Sequence, residues 1–70
     1  MSILNPTEFG SLLKKRRKQL HYTQKFLSDF SGLSVSFISD VENGKDTVEL
    51  GKALKLANLL GLNCVLEERD

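Results

Sequence analysis

Apolar residues near the start of the chain recur three and four positions apart, which is the spacing of one face of an α-helix. Asn5 is a favourable N-cap, Pro6 suits the first helical position, and Glu8 lies where the acid of a capping box would be. This segment therefore predicts a helix over about residues 6–19. The stripe along one side of this helix consists of Phe9, Leu12, Leu13, Arg16 and Leu20.

Two short segments with a glycine turn between them follow. Thr23 and Ser34 are good N-caps, and they predict helices over about residues 23–30 and 34–43. Gly32, between the two, can adopt the left-handed backbone that ends a helix. Two short helices joined by a turn of three or four residues that contains glycine describe a helix-turn-helix.

The last third of the chain predicts one more helix and a short strand. Leucine and alanine at helical spacing predict a fourth helix over about residues 48–60, with an apolar arc wider than its own core requires. Alternation in "LNCVLEERD" predicts a strand over about residues 62–67, which has no partner within one helical chain. The tail therefore either frays or pairs with the same tail of a second subunit. Together with the wide apolar arc of the fourth helix, this favours a homodimer whose interface contains Leu56, Leu59, Leu62, Cys64 and Leu66.

The third predicted helix has two chemically different sides. At about 100° per residue, Phe37, Ile38 and Val41 fall together and would anchor the helix to a core. The other side is either the solvated face of an ordinary amphipathic helix or a surface that reads DNA, because the second helix of a helix-turn-helix lies in the major groove. That side contains Ser36, Ser39, Asp40 and Asn43.

The charge distribution favours an anionic partner. Residues 1–45 contain seven lysines or arginines and four acidic residues, whereas residues 46–70 contain three and five. A basic front half suits nucleic acid, although a charged run is more often a solvated helix face. The length of 70 residues predicts a single domain over residues 1–70.

The composition argues against several other classes of protein. One cysteine and one histidine, Cys64 and His21, cannot build a structural zinc site. The chain has no apolar run long enough for a membrane span and no signal-peptide pattern at its start, so we expect a cytoplasmic protein. Without a catalytic serine, histidine and acid at suitable spacing or a phosphate-binding glycine loop, we expect no enzyme and no cofactor.

A specific series of residues runs through the two short helices: Thr23, Gln24, Leu27, Ser28, Gly32, Leu33, Ser34, Ile38, Glu42, Gly44 and Lys45. This series resembles the motif of the XRE-type, phage-repressor-like helix-turn-helix family. More narrowly, "FGSLLKKRRKQL" and "TVELGKALKLANLLGLN" resemble the HipB-type antitoxins. The resemblance implies an all-α domain of the phage-repressor type with four to five elements, including a short C-terminal β-strand that pairs across a homodimer.

The resemblance also implies a function. It implies a sequence-specific repressor that binds double-stranded DNA at a near-palindromic operator. The narrower resemblance implies an antitoxin that autoregulates its operon and binds a HipA-type serine/threonine kinase toxin. Two alternatives stay open: a stand-alone phage-type or restriction-modification controller repressor, and a protein-interaction module with little DNA binding.

Carried over position by position, the resemblance implies that Arg17 and Glu42 form a structural ion pair between the first and third helices. His21 stands where the family usually has glycine, which we interpret as a structural variation. Phe26 and Phe30 stand where the family often has charged residues, and they either extend the core or form a surface for a protein partner. The side chains implied in DNA contact are Gln24, Ser34, Val35, Ser36, Ser39, Asp40, Asn43 and Lys45.

The groove-facing positions hold two serines, a valine and an aspartate. Strong discrimination between bases uses arginine on guanine, or glutamine and asparagine on adenine. We therefore predict modest base discrimination, with more weight on phosphate contacts and DNA shape.

Overall fold

The computed structural model describes residues 5–69, which contain four α-helices and no strand. These are α1 (Pro6–Gln19), α2 (Gln24–Ser31), α3 (Val35–Glu42) and α4 (Leu50–Leu59). α2 and α3 are joined through Gly32, whose φ of 77° is the left-handed conformation expected at a helix end. The predicted all-α fold is thereby confirmed.

The first three helices begin at side chains that the sequence marks as caps. Asn5, Thr23 and Ser34 each accept a hydrogen bond from the backbone N–H three residues further on, at 2.8–3.0 Å. Each bond satisfies an N–H group that has no partner within its helix. α4 differs, because its N-cap residue Glu49 makes no capping hydrogen bond with its side chain.

The core lies where the helices converge. α3 packs against both α1 and α2, so the orientation of α3 is set by two neighbours. Leu27, Ile38 and Leu56 have no exposed surface. The buried cluster consists of Leu13, Leu27, Leu33, Ile38, Val41, Leu56, Ala57 and Leu60.

α1 and α3 approach most tightly at Gly10. A Cβ atom at this position would overlap the carbonyl oxygen of Val41 and come within 3.0 Å of that of Glu42. Just beyond α3, Gly44 has a φ of 81° and lies against Thr7 at the start of α1. The C-terminal half of α3 is therefore fixed against α1 by two positions at which a larger side chain does not fit.

The end of α1 explains the unusual histidine in the sequence. His21 has a φ of 60°, in the left-handed region that strongly favours glycine. The family preference for glycine at this position follows from the same geometry. The side chain of His21 is exposed.

The predicted strand over residues 62–67 is wrong. Residues 62–69 have no regular secondary structure, and every residue after Leu62 in this segment is exposed. A strand needs a second strand to pair its backbone N–H and C=O groups, and residues 5–69 provide none. Leu66, with a relative exposure of 101%, packs against none of residues 5–69.

The apolar arc of α4 is not divided between core and dimer interface as predicted. Leu56, predicted at a dimer interface, is 0% exposed and belongs to the core of its own chain, so it is wrong as an interface residue. Ala53 and Ala57 are buried beside it, whereas Leu50 and Leu54 are exposed. Periodicity shows that an arc is apolar, but the small alanines decide which edge packs closest.

Candidate nucleic-acid interface

The side of α3 that faces away from the core carries most of the residues predicted to contact DNA. Val35 and Ser36 are exposed on the first turn, and Ser39 and Asp40 are partly exposed one turn later. Asn43 is exposed and forms the C-cap. These five residues are called the α3 face below. They form one accessible surface because the opposite side of α3 lies in the core.

Three hydrogen bonds link residues of the α3 face with one another and with Lys45. Asn43 Nδ2 donates to Ser39 Oγ at 3.3 Å, so the hydroxyl hydrogen of Ser39 can be donated to another group. The ammonium of Lys45 donates to Asp40 Oδ2 at 3.5 Å. The backbone N–H of Lys45 also donates to the carbonyl oxygen of Asp40, at 3.0 Å. Lys45, predicted to contact DNA, is therefore paired with a residue of the α3 face.

Behind this face, Arg17 and Glu42 join α1 to α3 through two parallel hydrogen bonds. Arg17 Nε donates to Glu42 Oε2 at 2.7 Å, and Nη2 donates to Oε1 at 3.0 Å. The two side chains are only 9% and 3% exposed. The hydrogen bond with Glu42 raises the pKa of Arg17, with burial acting in the opposite direction. The guanidinium thus stays charged, and the forked geometry fixes the angle between the helices.

α2 joins the same cluster through a contact that sequence reasoning missed. Gln24 Nε2 donates to Glu42 Oε1 at 3.1 Å, and Arg17 Nη1 donates to the carbonyl oxygen of Tyr22 at 2.8 Å. No sequence spacing links residues 24 and 42, so only the packing of α2 on α3 reveals this contact. Gln24, predicted to touch DNA, is half-buried at the first turn of α2, and it brings that helix N-terminus, which favours anions, beside the end of α3.

Ser34 both caps α3 and lies at the surface of the protein. Its hydroxyl oxygen accepts the capping hydrogen bond at the start of α3, and the residue is exposed. The N-terminal N–H groups of α3 therefore lie next to the first residues of the α3 face, as an anion-binding helix end requires.

Phe26 and Phe30 are exposed on α2 and do not extend the core. Their relative exposures are 49% and 59%. The two rings are parallel to within 6°, with centroids 6.2 Å apart, and the ring of Tyr22 lies 4.8 Å from that of Phe26. The half-buried Tyr22, which packs against the core, and the exposed Phe26 and Phe30 are called the aromatic ladder below. Phe26 and Phe30 thus leave an apolar patch exposed on α2.

The other residues predicted at a dimer interface lie at the surface or near it. Leu59 is half-buried, and Leu62 is half-buried against the core. Cys64 is a free, exposed thiol. Sequence reasoning missed three further exposed apolar side chains, Leu50, Leu54 and Val65.

Elsewhere, the surface of the described residues has a basic depression on α1. It is shallow, open and lined by Ser11, Lys14, Lys15, Lys18 and Gln19. Within residues 5–69, no group of three or more histidine, cysteine, aspartate or glutamate side chains could hold a metal ion. None of the helices in this part of the chain is long and apolar enough to cross a membrane.

This chain is similar in sequence to a family model and to known proteins. A helix-turn-helix family model matches residues 13–65. An uncharacterised HTH-type transcriptional regulator of Sinorhizobium fredii, y4mF, is 36% identical over 59 residues, which cover 84% of this chain and 78% of the relative. The ImmF control region 10 kDa protein of Bacillus phage phi105 is 30% identical over 61 residues, covering 87% and 68%.

Known structures similar to this chain include several of HipB. A HipB–O4 20mer complex matches with a TM-score of 0.88, and a HipA–HipB–O2–O3 complex matches with 0.89. Both are 28% identical, and the matches cover 100% of this chain and 99% of theirs. The likeness to HipB inferred from the sequence is thereby confirmed. The chain belongs to the XRE-type helix-turn-helix family of DNA-binding transcriptional regulators, and its fold is close to that of HipB.

Proposed function

We propose that this protein is a homodimeric, sequence-specific DNA-binding repressor and the antitoxin of a HipA-type kinase, whose shared operon it autoregulates. The observation that carries the DNA-binding part is the α3 face, an accessible polar surface on the second helix of a helix-turn-helix. The Arg17–Glu42 pair and Gly10 hold that helix at a fixed angle. The antitoxin part is supported by the likeness to HipB in its complex with HipA.

In the proposed complex, α3 lies in the major groove with the α3 face against the base edges. Val35 can make an apolar contact with a thymine methyl group, and the hydroxyls of Ser36 and Ser39 can hydrogen-bond to any of several bases. The N-terminus of α3 at Ser34 and the ammonium of Lys45 are suited to phosphate oxygens. The N-terminus of α2 at Gln24 and the C-cap residue Asn43 complete the set of backbone contacts. With no arginine on the α3 face, phosphate contacts supply a large share of the affinity.

Dimerisation would place two α3 helices about 34 Å apart on a near-palindromic site. The proposed contact uses apolar side chains that the single chain leaves uncovered or half covered. A chain of 70 residues has a small core, so covering these residues would also add stability. They are Leu50, Leu54, Leu59, Leu62, Cys64, Val65 and Leu66.

DNA binding is tested with the protein's own upstream DNA, by fluorescence anisotropy at a series of salt concentrations. We expect the affinity to fall steeply with salt, because about six to ten phosphates per dimer would release counterions. Lys45→Ala should reduce the slope of log K against log salt by about one for each subunit.

The matched control is Lys52→Ala on α4. Lys52 is also exposed and also paired with an acid, since its ammonium lies 3.4 Å from Glu49 Oε2. An equal change of slope in both variants would remove Lys45 from the backbone contacts. If wild type binds its upstream DNA no more tightly than scrambled DNA at low salt, the DNA-binding function is overturned and the protein-interaction module is favoured.

We place the kinase contact at the aromatic ladder. Residues 24 and 26 are about 200° apart around α2. Because Gln24 reaches Glu42 on α3, Phe26 and the stacked Phe30 point away from α3. The two exposed rings of the ladder therefore stay accessible while the α3 face is occupied, which a complex holding DNA and kinase together requires.

Phe26→Ser with Phe30→Ser should weaken binding of the kinase encoded beside this gene at least tenfold, because burying one such ring contributes about 1.5–3 kcal/mol. Binding is measured by titration calorimetry with the purified kinase. DNA affinity and thermal unfolding of the same variant serve as controls and should stay close to wild type. Undiminished kinase binding would remove the ladder from the interface, and no wild-type kinase binding would overturn the antitoxin function.

A further inference from the structure

We propose that Asp40 selects a cytosine in the operator, and that it does so by exchanging Lys45 for the cytosine amino group when the protein binds DNA. The inference rests on the proposed DNA-binding function and adds to it one base and one residue. It follows from the chemistry of the α3 face and from the pairing of Asp40 with Lys45 in the free protein.

Asp40 is the only charged residue among the five that form the α3 face. A carboxylate accepts hydrogen bonds and donates none, whereas serine and asparagine do both and tolerate several bases. In the major groove, the amino group of cytosine is a donor with one acceptor neighbour across the pair. The amino group of adenine lies between two acceptors, N7 of the same base and O4 of thymine, both of which repel a carboxylate. Asp40 is therefore matched to cytosine.

The neighbouring serine supplies the complementary group. Ser39 Oγ accepts from Asn43 Nδ2 at 3.3 Å, so its hydroxyl hydrogen is available for an acceptor outside the protein. Guanine presents two such acceptors, O6 and N7, beside the cytosine amino group. A donor from Ser39 and an acceptor from Asp40 thus fit the two halves of one C·G pair.

Asp40 already has a partner in the free protein, but a weak one. Its Oδ2 lies 3.5 Å from the ammonium of Lys45, and the two side chains are 42% and 54% exposed. Exposed pairs of this kind contribute little to stability, so the pair opens at small cost. The hydrogen bond between the backbone N–H of Lys45 and the carbonyl oxygen of Asp40, at 3.0 Å, keeps Lys45 at the end of α3 while its side chain moves.

The exchange couples the base contact to a backbone contact. When the base is cytosine, its amino group replaces the ammonium of Lys45 as the donor to the carboxylate of Asp40. The ammonium of Lys45 is then free to bind a phosphate. On any other base, Lys45 either stays on Asp40 and loses the phosphate, or leaves the carboxylate unpaired near the DNA charge. Both arrangements weaken binding, so the discrimination exceeds that of the Asp40 hydrogen bond alone.

The test compares wild type, Asp40→Ala and Asp40→Asn on upstream DNA in which each position of a half-site is varied in turn, with relative affinities measured by competition. For wild type we expect one C·G position per half-site at which replacement weakens binding about tenfold. Asp40→Ala should abolish the preference at that position alone. Asp40→Asn, which keeps the size of the side chain, should shift the base preference at that position toward adenine, whose N6 and N7 match a carboxamide.

Salt dependence tests the exchange itself. On the site with the cytosine replaced, the wild-type salt slope should be smaller by up to about one per subunit, because Lys45 remains on Asp40. In Asp40→Ala the two sites should give equal slopes. An Asp40→Ala protein with unchanged preferences, or with uniformly higher affinity at all sites, would overturn the inference, since Asp40 would then read no base. Wild-type binding without any cytosine preference would overturn it while leaving the DNA-binding function in place, whereas absent DNA binding would overturn both.

Discussion

Replacing Gly10 with alanine should destabilise the protein by about 3 kcal/mol, as expected for a methyl group forced into a close-packed contact that has no room for it. The added Cβ would overlap the carbonyl oxygen of Val41. That atom belongs to the backbone of α3, so no side-chain rotation relieves the clash, and α1 and α3 must separate. The total stability of a domain of this size is about 3.5–10 kcal/mol, so the loss is a large fraction of it.

The matched control is Gly51→Ala on the exposed side of α4, where an added Cβ meets nothing within 4 Å. Alanine is a better helix former than glycine, so this variant should gain about 0.5–1 kcal/mol. Urea denaturation followed by circular dichroism measures both. Gly10→Ala with the stability of wild type would mean that the contact between α1 and α3 adapts easily, and its role in orienting α3 would have to be abandoned.

Much of this fold follows from local sequence signals. Asn5, Thr23 and Ser34 each act within three residues of their own position, and such short-range capping is readable without knowledge of the fold. The two sides of α3 follow from the helical period in the same way. For this reason the α-helical class, the turn at Gly32 and the accessible α3 face could be predicted from the sequence.

Features that depend on packing between distant segments could not be predicted from the sequence. The burial of Leu56 and the exposure of Leu50 result from how α4 settles on the other helices, and a broad apolar arc allows more than one orientation. The prediction of a strand over residues 62–67 was wrong because alternation of side chains does not supply a second strand to pair with.

The candidate site shows the same division. Lys45 and Asp40 were both expected to contact DNA, but their pairing depends on the turn at Gly44, where the left-handed backbone brings Lys45 back toward α3. The contact of Gln24 with Glu42 depends on the approach of α2 to α3. Side-chain chemistry could be assigned from the sequence, whereas the partners of those side chains required the fold.

Replacing Glu42 with glutamine should cost about 3–5 kcal/mol, because it leaves the charge of Arg17 buried without a counter-ion. Arg17→Leu should also be strongly destabilising, although Gln24 still donates to Glu42 in that variant. Exposed pairs are worth far less, so Lys25→Ala, which breaks the exposed Lys25–Asp29 pair at 2.8 Å, is a suitable control and should change stability by less than about 0.5 kcal/mol. Urea denaturation at fixed pH measures all of these variants.

The double variant Arg17→Leu with Glu42→Leu separates charge from hydrogen bonding. Burying two apolar side chains in place of an ion pair is often neutral or favourable, so the double variant should be more stable than either single variant. It should remain below wild type by about 1–3 kcal/mol, because the carbonyl oxygen of Tyr22 and the amide of Gln24 lose their partners. The hydrogen bond with Glu42 raises the pKa of Arg17. The contribution of the charged Arg17 to stability is therefore lost only as the pH rises through that raised pKa, and titration of Arg17 does not affect the comparison near neutral pH. A double variant as unstable as the single ones would show that the hydrogen bonds with Tyr22 and Gln24, rather than the paired charges, make the cluster stabilising.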